Sequence, residues 1–429
     1  MTTFINAKCH CELITFRVAF ATDTLPISDD LCHCNSCRHT TGQMGVHQVC
    51  IEGVPLTRFY ERSSRMPSPR PGQNGFHHEE NGNHSNGNHS NGDSLHVPTV
   101  IDPPTINVVD PEDPLDLGDL TAYKTSKAVT RYFCSSCSAH LFFVHHNPDG
   151  DKWAVSVGAL ERTEGIVKIG YHIWVGDTLD GGMADQLRKI DGVELKRYSE
   201  KSGSEELPVG WKDKALLEKE KQQADGQVAD KQGRVQAHCH CGTIKFEITR
   251  PSEASTIPSS AYPDLLYPYD VTHLSKVANP ADEKWWLRPA HSDRPTKYLA
   301  GHCMCGFCRL TSGFEVQSWA YVPIYNIVEP GTDTPICLEE DEQRPKGLKQ
   351  YMASPARYRE FCATCGASTF WWRADSPDLI CVSVGLIDEA NVGARAESWF
   401  DWHTHRVSYI EKAVSSSLGR ALEEGLKSI

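Results

Sequence analysis

No stretch of this chain is rich in lysine and arginine, and its formal charge is -13 at pH 7. Gripping a nucleic-acid backbone requires clustered positive charge, so the balance argues against that partner and speaks mainly for solubility. No apolar run approaches the roughly 20 residues that cross a bilayer. The opening Met1-Thr2-Thr3-Phe4 lacks the basic-then-apolar pattern of an export signal. Together these absences give the expectation of a cytoplasmic protein without a membrane partner. Sustained 3.6-residue periodicity is scarce too, which disfavours a helical bundle. At 429 residues the chain is longer than one ordinary core needs and suits two domains with accessory segments.

What it does have is cysteine, 17 residues in all. With no export signal, the thiols are expected to stay reduced and to serve metal binding, and an odd number fits poorly with complete disulfide pairing. Most fall into CxC, CxCxxC and CxxC groups. Only Cys50, Cys337 and Cys381 stand outside them, and these are expected to be ordinary buried thiols.

The groups recur in one order. Cys9-His10-Cys11, then Ile14, Phe16 and Val18, matches Cys239-His240-Cys241, then Ile244, Phe246 and Ile248. Alternating apolar residues predict a strand in both places. Cys32-His33-Cys34-Asn35-Ser36-Cys37-Arg38 matches Cys303-Met304-Cys305-Gly306-Phe307-Cys308-Arg309, each leading to a turn glycine. Tyr123, Ser126, Arg131, Phe133, Cys134 and Cys137 then match Tyr351, Ser354, Arg359, Phe361, Cys362 and Cys365, followed by Val-Ser-Val-Gly strands ending at Gly158 and Gly385. Such ordered self-similarity is the mark of duplication. Short strands between Gly, Pro and Cys turns predict a mainly β fold, with a short helix closing each repeat, as at 413–427.

The expected organisation is a first domain over 1–195, a charged linker over 196–235 with an exposed helix near 215–223, and a second domain over 236–429. Residues 63–119, with Asn81-Gly82-Asn83-His84-Ser85-Asn86 and many prolines, are too polar to build a core and are expected to be a disordered insertion. Its histidines are read as part of a solvated tract rather than as ligands. The second domain carries its own insertion near 251–299. There Tyr262, Tyr267, Tyr269, Trp285 and Trp286 either order the loop over a ligand site or pack it on the surface, and surface packing is the preferred expectation.

Zinc takes thiolates tetrahedrally, and a CxC or CxxC hairpin offers two sulfurs to one side of the ion. Cys9, Cys11, Cys134 and Cys137 therefore predict one closed structural site, and Cys239, Cys241, Cys362 and Cys365 its counterpart. Cys32, Cys34 and Cys37, with Cys303, Cys305 and Cys308, offer three sulfurs each and no evident fourth. Three ligands leave the position that catalytic zinc keeps for water or substrate. The expectation is up to four zinc ions per chain, two structural and two catalytic. His10 and His33 are expected to lie behind the ligands or at the surface. Met304 stands where His33 does, so that position supplies no shared ligand.

Cys-His-Cys, Cys-x-Cys-x-x-Cys-Arg and Phe-Cys-x-x-Cys before a Val-Ser-Val-Gly strand resemble the glutathione-dependent formaldehyde-activating (GFA) family, also called centromere protein V/GFA domains. The resemblance covers both repeats. It implies two tandem Mss4-like (β-tent) zinc-binding domains, with the CxC and CxxC cysteines holding structural zinc and the CxCxxC cysteines holding catalytic zinc. It also implies a carbon–sulfur lyase similar to S-(hydroxymethyl)glutathione synthase, with glutathione as cosubstrate and a small electrophile or glutathione conjugate as partner. Arg38 and Arg309 are candidates to attract a glutathione carboxylate, with a surface ion pair as the equal alternative. Glu12 and Ser138 depart from the family's glycines, whereas Gly242 and Gly366 keep them. Because this fold also serves non-catalytically, a zinc-stabilised interaction module is the competing expectation.

Overall fold

Alternating apolar residues after each CxC group do form strands. In the computed structural model, which describes residues 1–57, 117–224 and 233–428, Thr15–Ala21 pairs antiparallel with Thr2–Lys8, and Lys245–Thr249 pairs antiparallel with Arg234–His238. A short third strand completes each small sheet, Leu56–Thr57 in the first half and Ile327–Val328 in the second. Most of the insertion expected over 63–119 lies outside the described residues.

The larger sheet of each half has the same strand order. In the first half it runs from Leu120–Lys124 through Val129–Cys134, His140–His145, Lys152–Ser156, Val46–Cys50 and Ile27–Cys32 to Val167–Ile173. In the second half it runs from Leu348–Ser354 through Arg357–Cys362, Ser368–Arg373, Ser376–Ser383, Gln317–Pro323 and Lys297–Cys303 to Phe400–Trp402. The last junction is parallel in both. The architecture is mainly β, and these seven strands correspond between the halves, while Leu287–Arg288 adds an antiparallel edge strand to the second alone. Equivalent aromatic pairs sit in the two cores. Phe16 meets Phe142 edge-on at 4.9 Å between ring centres, and Phe246 meets Phe370 at the same separation.

The expected linker is structured over its first part. Lys196–Arg197 adds a parallel edge strand beside Val167–Ile173. Arg197 and Arg395 both pair with the buried Asp185, at 3.3 and 2.9 Å. Charged composition suggested a solvated tether, but here the charge is spent inside the molecule, where a carboxylate between two guanidiniums satisfies all three groups. The helix near 215–223 spans Lys214–Ala224 and buries Leu216. Residues 225–232 lie outside the described set. The C-terminal helix runs Ser416–Leu426, capped by the Ser415 side chain, which accepts from the Leu418 N–H at 3.3 Å. Its Leu418, Leu422 and Leu426 lie four apart on one buried face.

The two halves meet closely along equivalent surfaces, within one compact unit. The Gly158 N–H donates to Gly313 O at 3.0 Å. A Cβ on Gly158 would lie 2.5 Å from Gly313 C and Phe314 N, and one on the equivalent Gly385 would lie 2.3 Å from Gln43 O. Backbone against backbone leaves no flexible atom to yield, so only glycine fits. Arg38 donates to Glu389 at 2.9 Å, and Arg309 donates to Gly158 O and Leu160 O at 2.6 and 2.8 Å. Both arginines therefore bind the opposite half.

Gly158→Ala and Gly385→Ala are each expected to lower stability by roughly 1–3 kcal/mol through overpacking at this seam. Urea denaturation checks this, and unchanged midpoints for both would mean that the seam is loose in solution.

Candidate metal centres

Each CxC group sits in the hairpin turn of its small sheet, closed by Cys9 N–H to Ile14 O at 3.1 Å and by Cys239 N–H to Ile244 O at 3.0 Å. The turn needs a left-handed residue just after the second cysteine. Gly242 supplies it at φ 71°, and Glu12 takes the same conformation at φ 59°. Ser138 at φ 66° and Gly366 at φ 78° repeat this after the CxxC groups, where their N–H groups bond back to Cys134 O and Cys362 O at 3.0 and 2.9 Å. The departures Glu12 and Ser138 therefore keep the turns at some backbone strain and leave the thiols in place.

The structure brings Cys9, Cys11, Cys134 and Cys137 together, and likewise Cys239, Cys241, Cys362 and Cys365, with all sulfurs of a group within 4.8 Å of one another. Individual separations are 3.3 Å for Cys9–Cys11, 3.6 Å for Cys11–Cys134, 3.4 Å for Cys239–Cys241 and 3.5 Å for Cys241–Cys362. None of these cysteines is in a disulfide. Four sulfurs each about 2.3 Å from one zinc stand about 3.8 Å apart, so the donor set and its size are compatible with zinc.

Cys32, Cys34 and Cys37 form a third group, and Cys303, Cys305 and Cys308 a fourth. In each, the first cysteine ends a strand and the second caps a helix, Asn35–Thr41 or Gly306–Ser312. The cap sulfur accepts from the N–H of the third cysteine at 3.3 Å. Among the described residues no fourth His, Cys, Asp or Glu joins either group.

Behind the third cysteine of each group lies a fully buried arginine. Arg131 Nη2 donates to Cys37 Sγ at 3.0 Å, and Arg359 Nη2 donates to Cys308 Sγ at 3.6 Å. Hydrogen bonds from the neighbouring cysteines, reinforced by the guanidinium, hold Cys37 and Cys308 well below the usual thiol range. Arg131 Nε and Nη1 and Arg359 Nε find no other hydrogen-bond partner. A buried cation left this way requires a concentrated negative charge beside it, and thiolates around a divalent ion supply one. Sequence reasoning assigned no role to these arginines. Their signal was an arginine three residues before the CxxC group in both repeats, pointing inward from a strand.

Other expectations change. Arg38 and Arg309 serve the seam between halves, because the helices that carry them press against the opposite half. Cys50 is exposed and Cys337 half-buried, and only Cys381 is buried as expected. His33 is fully buried, as the first of its two expected placements has it. Its Nε2 meets His172 Nδ1 at 2.9 Å and its Nδ1 meets Met44 O at 3.2 Å, so both nitrogens are engaged away from the three sulfurs. His10 reaches across the seam. Its Nδ1 pairs with Tyr351 OH at 2.8 Å, and His240 repeats the contact with Tyr123 OH at 2.8 Å.

A cavity of about 410 Å³ opens beside Cys303, Cys305 and Cys308. The 251–299 insertion forms part of its wall through Tyr269 and Trp285, and the first half contributes His10. The preferred expectation of surface packing therefore fails for these two aromatics. Trp286 goes instead into the core, where its Nε1 donates to Ser255 O at 3.0 Å. Comparison with family models, curated proteins and solved structures found no match. Among the described residues no helix is long and apolar enough to cross a membrane.

Metal analysis of the purified chain is expected to find four zinc ions, one per group. Cys362→Ser should remove one ion and lower the melting temperature by on the order of 10 °C, whereas Cys305→Ser should remove one ion with little change. Equal destabilisation by the two would place both groups in the same structural role.

Proposed function

We propose that this chain is a zinc-dependent carbon–sulfur lyase acting on glutathione adducts, built from two tandem Mss4-like domains. The observation that carries the reading is the three-thiol group of Cys303, Cys305 and Cys308, which lies against a cavity rather than inside a closed tetrahedron. The four-cysteine groups then act as structural staples and the three-cysteine groups as the reactive class. Seventeen unpaired cysteines suit a reducing, cytoplasmic setting.

The chemistry that a bound zinc supplies is stabilisation of a substrate sulfur as thiolate. Cys303, Cys305 and Cys308 would hold the ion, and Arg359 offsets the negative charge that three thiolates leave in excess. Arg357 and Arg373, both half-buried, line the cavity and offer cations to glutathione carboxylates, a task that Arg38 and Arg309 do not serve. They share Asp375, which lies 3.5 Å from Arg357 Nη1 and 2.8 Å from Arg373 Nε. In the cleavage direction the carbon–sulfur electron pair stays on sulfur, and the adduct's hydroxyl passes its proton to solvent water as the carbon becomes a carbonyl. His10 presents its ring to this cavity in the orientation fixed by Tyr351 and an edge contact with Phe307 at 4.8 Å.

We take the second half as the one that turns over, a reading supported by the cavity beside its three cysteines. Cys305→Ser is expected to reduce release of free glutathione from S-(hydroxymethyl)glutathione on the order of 100-fold or more, and Cys34→Ser much less. A thiol-release assay on both variants decides the matter. Full activity in both would remove the three-cysteine groups from catalysis and favour the interaction-module reading.

A further inference from the structure

The cavity beside Cys303, Cys305 and Cys308 is far larger than a hydroxymethyl group requires, and its walls are aromatic. About 410 Å³ lies within the range that encloses a drug-sized molecule. The volume is built, because its cover is pinned. Asp264, buried in the insertion, accepts from Tyr269 N–H at 2.9 Å, from Tyr409 N–H at 2.6 Å and from Arg406 Nη2 at 2.9 Å. These bonds tie the insertion to the segment before the C-terminal helix. Trp285 is held by Nε1–H to Ser260 O at 3.2 Å and by an edge contact with Tyr321 at 5.0 Å. Tyr269 is fixed through its hydroxyl, which donates to Tyr262 O at 2.7 Å, and meets Tyr409 edge-on at 5.8 Å. A loop that merely shielded a two-atom adduct would not need this.

Glutathione held at Arg357 and Arg373 is polar, so its hydroxymethyl adduct would leave the ring faces of the lining without an apolar partner, which is unfavourable. A flat apolar group would displace that water and meet the rings in the offset and edge arrangements aromatics prefer. The guanidiniums on the lining are those of Arg357 and Arg373, and they suffice for a charged thiol-bearing end.

We infer that the group carried on the substrate sulfur is a flat aromatic system, received by walls formed from Tyr269, Trp285, Phe307, Trp319, Tyr321 and Tyr409. The inference rests on the lyase reading for the identity of the sulfur-bearing end, and the aromatic lining of the cavity carries the rest.

The test is calorimetric titration of the zinc-replete full chain with S-(1-naphthylmethyl)glutathione and with S-methylglutathione. The aromatic conjugate is expected to bind on the order of 30-fold more tightly, the gain from burying two fused rings. Trp285→Ala, with zinc content retained, should shrink the gap to roughly threefold or less. Should that variant fail to fold, Tyr269→Leu serves, with a smaller loss in the same direction. Equal affinities, preference for the methyl conjugate, or binding of neither overturns the inference. Glutathione release from small adducts separates the two claims. Release without aromatic preference sinks this inference and leaves the lyase, whereas aromatic preference with no release from any adduct supports the cavity assignment and sinks the lyase.

Discussion

Each half of the molecule depends on thiols from two distant hairpins converging on one point. Cys11 and Cys134 are 123 positions apart, and Cys241 and Cys362 are 121 apart. Few contacts within a small three-stranded sheet could hold it against its larger neighbour across such spans. A tetrahedral ion on the four sulfurs would bind both, and its affinity would become folding free energy because the unfolded chain has no preformed site. The short strands, tight turns and polar loops are tolerable once that cross-link exists. The left-handed Glu12 and Ser138 illustrate this, since the turns keep their shape although the residue is unfavourable there.

The second constraint is the seam. Arg38 and Arg309, Gly158 and Gly385, and the pairs His10–Tyr351 and His240–Tyr123 join the halves through equivalent positions on both sides. The imidazole between two cysteines of one half thus completes the surroundings of the opposite half. A cavity wall that borrows His10 from the first half exists only while the halves are docked. Duplication in one chain keeps them together without dependence on concentration. It also lets the copies diverge, and Met304 in place of His33 and the aromatic insertion in the second half are where they have done so.

The cysteine groups were legible because metal-ligand spacing is local: a CxC or CxxC pair points two sulfurs one way wherever the hairpin lies. Strand order was legible only as repetition, through matched alternation at Phe16 and Phe246 or Val155 and Val382. Arg38 and Arg309 sit beside the CxCxxC cysteines in sequence while their helix faces turn them into the seam. Arg131 and Arg359, nearly a hundred and about fifty residues away, are the ones that touch sulfur. Composition misjudged the start of the linker, because charge marks a solvated segment only when its partners are water. Arg197 finds Asp185 instead.

The sequence by itself determined that the chain is duplicated, mainly β, and furnished with four cysteine groups of two kinds, because each follows from spacing and alternation within a few residues. Tertiary structure alone decided which cation neutralises which thiolate, which half lends a histidine to the other, and that Trp285 turns toward a cavity while Trp286 turns into the core. Those outcomes depend on surfaces brought together from far along the chain, where burial and close packing, rather than local pattern, select the partner.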